Sequence, residues 1–352
     1  MSRSFLFRTI ATLAAGWIAA LIWRHFKLPL PWMVGPLLIT AVGSMAGAPT
    51  QSSTGLRNAA QWIIGTALGL YFTSQVLELV VRLWWAVALA LTWALAIGWG
   101  FGAWLDRVLV RQMPGDPFQR RATSYFAGAI GGASEMTLLA ERAGGRTDLV
   151  AAAHSMRLLV VTIGIPFAFQ FGGLQGLDPS LPGPRAVAPA GLMMLGAATL
   201  AGSWLLSRTN WANPWFIGAF GVAMALTLGG VELSALPTPL SNAAQLVLGV
   251  GLGVRFRAEF IRTAPRWLGS VAVGTVVMIG LCTGFAWLLS LATGLHPATL
   301  VLGTSPGGIV EMAITAKVLA LGVPVVTAFQ VCRLVAVLLL VEPLYRWLGV
   351  VR

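Results

Sequence analysis

Six stretches of this chain run for more than twenty residues without an Asp, Glu, Lys or Arg: 28–56, 83–105, 186–207, 209–231, 233–254 and 267–310. Each is long enough to cross a hydrocarbon core of about 30 Å as a helix, and the last is long enough to cross twice. Only 10% of the residues are charged, where soluble domains use about a quarter. Too few charges remain to cover a soluble surface, so disorder, a collagen, a disulfide scaffold and a secreted globular enzyme are excluded. The formal charge of +12 then needs a source: nucleic acid, anionic lipid or membrane topology.

Catalytic and metal chemistry find little support. Cys282 and Cys332 are the only cysteines and both sit in apolar stretches, so neither a disulfide framework nor a metal cluster is implied. His25, His154 and His296 are scattered, without metal-ligand spacing. No Gly-x-x-x-x-Gly-Lys-Ser/Thr phosphate loop occurs. The chain is therefore read as a non-enzyme without metal or cofactor. Arg3 and Arg8 precede an apolar run to Trp23, but no small-residue cleavage site follows, so this segment reads as an uncleaved first helix.

The chain also repeats itself. Asn58-Ala59-Ala60-Gln61 recurs as Asn242-Ala243-Ala244-Gln245, and Gly65 and Gly69 recur as Gly249 and Gly253, at an offset of 184. Pro31-Trp32-x-x-Gly35 recurs as Pro214-Trp215-x-x-Gly218, and Gly131-Gly132-x-x-Glu135-Met136 as Gly307-Gly308-x-x-Glu311-Met312. Three ordered blocks of polar, Gly and Pro identities predict a duplication: a first membrane repeat at 1–175, a Gly/Pro-rich linker at 176–185 and a second repeat at 186–352.

Charge then suggests the topology. If the Gly-Gly-x-x-Glu element of each repeat enters and leaves on one side, sixteen of the 23 basic residues fall on one face and five on the other, in line with the cytoplasmic bias of Lys and Arg. Arg24 and Lys27 form the one loop that disagrees. The expected fold is an all-α polytopic membrane protein. It has two homologous, inverted repeats, each with about five transmembrane helices and one re-entrant or broken helix. The N- and C-termini are expected in the cytoplasm. Inverted repeats with broken helices recur in secondary transporters, whose sites lie near the bilayer midplane at half-helix ends.

The few polar groups at membrane depth are the candidate site. Glu135 and Glu311 follow Gly131-Gly132 and Gly307-Gly308, where glycines permit a tight turn and close approach of a ligand. They read either as carriers of a coupling proton or sodium, or as caps and ion-pair partners within the protein. Arg157 and Arg333, twenty-two residues further on, either neutralise those glutamates or bind an anion. His154, three residues before Arg157, reads as a proton relay or as a satisfied interior histidine. Asn58, Gln61, Asn242 and Gln245 either contact solute or join helices by hydrogen bonds. Lys317 is expected to snorkel to the interface.

The Pro31-Trp32-x-x-Gly35, Asn58-Ala59-Ala60-Gln61-x-x-x-Gly65 and Gly131-Gly132-x-x-Glu135-Met136 blocks resemble the AbrB-type duplicated membrane protein family, whose members often carry the label ammonia monooxygenase. The resemblance covers nearly the whole chain and both copies of each block. It implies a bacterial inner-membrane protein of two related halves, and its labels include regulation of gene expression. The absence of clustered His or carboxylate ligands argues against an oxygenase. No soluble segment exceeds about twenty residues, too short for a DNA-binding module. The expected function is a secondary transporter of a small anionic solute coupled to protons or sodium. The alternative is a membrane sensor with an indirect role in regulation. The expected partners are the lipid bilayer, the solute, the coupling ion and a second copy in a homo-oligomer, with no direct nucleic acid.

Overall fold

A computed structural model describes residues 3–110, 116–174, 176, 186–209, 211, 213–256 and 265–347. All regular structure among them is helical. The chain runs α1 (Arg3–His25), α2 (Pro31–Met45), α3 (Thr54–Gly69), α4 (Ser74–Arg82), α5 (Trp84–Val110), α6 (Pro117–Gly128), α7 (Ala133–Arg142) and α8 (Thr147–Phe171). It continues as α9 (Pro189–Ser207), α10 (Pro214–Leu228), α11 (Thr238–Gly253), α12 (Pro265–Thr293), α13 (Pro297–Thr304), α14 (Ile309–Val318) and α15 (Val323–Trp347). Among the described residues six helices, α1, α5, α8, α9, α12 and α15, are long and apolar enough to cross a bilayer, and a bent α3–α4 pair makes a seventh if it counts as one span. The protein is a multi-pass helical membrane protein. The expected linker 176–185 lies outside the described residues except for Gly176.

Helix starts follow local chemistry. Pro31 and Pro214 stand at the first turns of α2 and α10, where a missing N–H costs nothing and φ is already helical. The residues before them, Leu30 and Asn213, both hold left-handed backbone, at φ 47° and 49°. Asn tolerates that geometry, whereas Leu adopts it against a cost of roughly 1–2 kcal/mol. Asp116 caps α6 by accepting from the Phe118 N–H at 2.9 Å. Helix α4 is set at 87° to α3.

Two compact units are present, each assembled from three separate segments of chain. The first comprises Met1–Val80, Pro166–Ala258 and Ala313–Pro324. Within it α3 packs on α10, and α11 packs on α2. Gly65 faces the Phe216 carbonyl, and a methyl there would also meet Ala219 at 3.2 Å; Gly249 faces the Met33 carbonyl in the same way. Each glycine lets a helix approach the backbone of its neighbour, the close packing typical of helices in lipid.

The second unit comprises Val81–Ile165, Glu259–Met312 and Val325–Arg352. Its core holds Phe126, Leu105, Met136, Val271, Met278 and the fully buried Trp267. The indole of Trp267 donates to the Leu149 carbonyl at 3.2 Å, so the one polar atom of that large side chain is satisfied. A methyl on Gly128 of α6 would meet the Gly98 carbonyl of α5 at 2.7 Å and the Gly102 Cα at 2.5 Å. The absence of side chains there seats α6 directly on α5.

Candidate functional site

Two helices of the second unit are interrupted, and the breaks are alike. Residues 129–132 separate α6 from α7, and residues 305–308 separate α13 from α14. Each break exposes the carbonyls that end one half-helix and the N–H groups that begin the next. In lipid those groups need partners from the protein or from a bound molecule.

The carbonyl side is covered by the two arginines. Arg157 is 3% exposed; its Nη1 donates to the carbonyls of Ala129 at 3.0 Å and of Ala127 and Gly128 at 3.4 Å. Arg333 is 7% exposed and donates at 2.6 Å to the carbonyls of Ser305 and Gly307. A cation at the end of a half-helix also meets the negative pole of its dipole. Both guanidiniums are thus buried within the second unit.

His154 and Gln330 hold the same register one turn earlier. The Arg157 Nη2 lies 2.6 Å from His154 Nδ1. A guanidinium only donates, so Nδ1 accepts and the proton resides on Nε2, which reaches the Phe126 carbonyl at 2.9 Å. Both ring nitrogens are thus engaged. Gln330 Nε2 donates to the Leu302 carbonyl at 2.6 Å and to that of Ser305 at 3.3 Å. An amide and an imidazole are interchangeable in this position, since each offers an N–H to the half-helix end.

The other side of each break explains the Gly-Gly-x-x-Glu-Met pattern. Gly132 is the N-cap of α7, and Glu135 stands in its first turn. The Met136 N–H donates to the Gly132 carbonyl at 3.0 Å, as Met312 does to Gly308. A methyl on Gly132 would collide with the Glu135 carboxylate, and one on Gly308 with that of Glu311. Each glutamate therefore folds back over its own N-cap, the direction taken by the third helical residue in a capping box. A methyl on Gly131 or Gly307 would lie 2.8 Å from the side chain of Met136 or Met312. The glycine pairs make room for two side chains of the following turn. Glu311 is buried, at 9% exposure, whereas Glu135 is half-buried.

At the second break, three buried polar atoms lack a hydrogen-bond partner: Arg333 Nε, Gln330 Oε1 and Ser305 Oγ. Together they offer a charged donor, an acceptor and a hydroxyl that serves as either. Ser305 and Gln330 were not among the expected site residues. The signal for Gln330 was its register, since it stands three residues before Arg333 as His154 does before Arg157.

The amide blocks lie elsewhere, in the first unit. Gln61 Nε2 donates to Asn213 Oδ1 at 3.3 Å. With its amide oriented to satisfy both ends, Asn58 accepts from the Trp215 indole at 3.0 Å and donates to the Thr54 carbonyl at 3.3 Å. The first amide block thus binds the start of α10. Asn242 instead lines a cavity with Trp32 and Arg24, and Gln245 is buried. Lys317 also belongs to the first unit, with its ammonium 5.9 Å from the centre of the Tyr71 ring, within cation–π range. No group of three or more His, Cys, Asp or Glu suited to a metal ion occurs among the described residues.

Fold and breaks together define a polytopic helical membrane protein organised around two interrupted helices. The chain belongs to the AbrB family: the family described as Transition state regulatory protein AbrB matches residues 32–349. It is similar to a Bacillus subtilis (strain 168) protein named "Uncharacterized protein YhjN", 26% identical over 348 residues that span 91% of this chain and 88% of the relative. It is also similar to the Escherichia coli (strain K12) "Putative regulator AbrB", 25% identical over 321 residues, 89% of this chain and 88% of the relative. No solved structure matches the chain.

Proposed function

We propose that this protein is a secondary transporter of the bacterial inner membrane that carries a small organic anion, coupled to protons or sodium, and performs no chemical step. The observation that carries the reading is the pair of buried arginines at two helix breaks, joined at the second break by three unpartnered polar atoms. Burying a guanidinium is costly, and carbonyl dipoles offset that cost without cancelling its charge. An anion at the breaks would gain from both guanidiniums and from the N-termini of α7 and α14. Glu135 and Glu311 then serve as caps whose charge is available to a coupling cation. Inverted halves with cytoplasmic termini complete the reading.

The test is uptake of labelled mono- and dicarboxylates by proteoliposomes under imposed proton or sodium gradients. Concentrative uptake is expected, lost in Arg333→Gln and uncoupled from the gradient in Glu135→Gln or Glu311→Gln. Normal gradient-driven uptake in both glutamine variants would remove the glutamates from coupling. The names of the family and of the Escherichia coli relative favour a second reading, a membrane sensor of the same anions. Ligand-induced thermal stabilisation without any uptake would select it.

A further inference from the structure

We propose that the flank formed by α5, α6 and α15 in the second unit binds a single-chain amphipathic anion, a fatty-acid carboxylate, separately from the solute at the helix breaks. A cavity of about 310 Å³ lies there, walled by Leu95, Ala96, Trp99, Ile130, Val341 and Leu344. A second cavity of about 160 Å³ is lined by Gly102, Asp106, Arg121 and Ser124. Trp99 and Tyr125 line both, so the two adjoin. They follow α5 from Thr92 to Asp106, about 21 Å at 1.5 Å per residue. One end is apolar and the other charged, the gradient of an amphipathic ligand.

Charge at the polar end favours an anion. Asp106 already accepts from Arg120 Nε at 2.9 Å. The Ser124 hydroxyl donates to the Arg120 carbonyl at 2.9 Å, and the Tyr125 phenol donates to the Val341 carbonyl at 2.9 Å. Arg121, the next residue, has no ion-pair partner among the described residues, so Arg120, Arg121 and Asp106 leave one uncompensated positive charge. The apolar lobe is at the small end of ligand pockets, which hold about 300–1,000 Å³, and suits one chain rather than two. Ala129, whose carbonyl Arg157 holds, lines the same cavity. An occupant would therefore rest against the first helix break.

The test is equilibrium binding of radiolabelled dodecanoate to the full-length protein in phosphatidylcholine nanodiscs. Saturable binding is expected, with dodecanol at least tenfold weaker as a competitor. Arg121→Gln should weaken dodecanoate about tenfold and leave dodecanol unchanged. Ala96→Trp, which fills the apolar lobe from its open side, should weaken both. Arg82→Gln, an exposed cation on α4, is the control expected to bind as the wild type, and melting temperatures confirm that each variant folds. Equal competition by dodecanol, or equal weakening by Arg82→Gln and Arg121→Gln, would overturn the proposal. Displacement of dodecanoate by doping the nanodiscs with phosphatidylglycerol would overturn the fatty-acid assignment in favour of a two-chain lipid. None of these outcomes bears on anion uptake through the breaks, which is read separately in proteoliposomes.

Discussion

Replacing Gly132 by alanine probes how the first break is built. The N-cap backbone sits at φ −68° and ψ 142°, a region open to any L-residue, so alanine meets no torsional penalty. Its methyl would instead occupy the place of a Glu135 carboxylate oxygen. That oxygen ends a flexible side chain, so the carboxylate swings away from the positive end of α7. A carboxylate near a helix N-terminus is worth about 0.3–1 kcal/mol. The cost should vanish, apart from a few tenths of a kcal/mol for Gly against Ala, when Glu135 is already alanine. A double-mutant cycle over Gly132→Ala and Glu135→Ala, read by reversible denaturation in mixed micelles, should therefore give a coupling of about 0.6–1 kcal/mol. Distant, independent sites add within about 0.3–0.5 kcal/mol. Additivity of that quality would refute the claim that the glycine exists to seat the glutamate.

Three further outcomes follow from contacts described above. Gly249→Ala drives a methyl into the Met33 carbonyl and should destabilise the protein by about 1–3 kcal/mol, the cost of overpacking, measured in the same denaturation assay. His154→Gln should fold and transport nearly as the wild type, because Gln330 makes the equivalent contact at the second break; His154→Leu should cost about 1–3 kcal/mol by leaving buried groups unsatisfied. Tyr125→Phe removes the donor to the Val341 carbonyl and should cost about 0.5–1.5 kcal/mol, visible as a lower melting temperature.

The apolar runs and repeated blocks made much of the helix order legible, because lipid burial and Gly/Pro chemistry act over short stretches of chain. Elements α7 and α14 span 133–142 and 309–318, and α8 and α15 span 147–171 and 323–347, each pair at the offset of 176 that links Glu135 to Glu311. What the sequence withheld was partnership. Arg157 and Arg333 were candidates to face the glutamates, but their guanidiniums serve carbonyls, which carry no side-chain signature in the sequence. The meaning of Gly131-Gly132 also depends on where the Glu135 and Met136 side chains turn, which spacing alone leaves open. Assignment of Asn58 and Glu135 to different compact units rests on contacts between residues far apart in the chain.

The threading of those units bears on how the protein is made. The first unit takes its last segment, Ala313–Pro324, and the second its last, Val325–Arg352, from the end of the chain. Neither can close until the residues from Ala313 onward have been made, so the early, unit-by-unit folding open to sequential domains is denied to them. Nascent helices must wait in the bilayer with polar breaks incompletely covered. A chain stopped before Arg333 would lack the cation that holds the Ser305 and Gly307 carbonyls, leaving the second break without its charged donor.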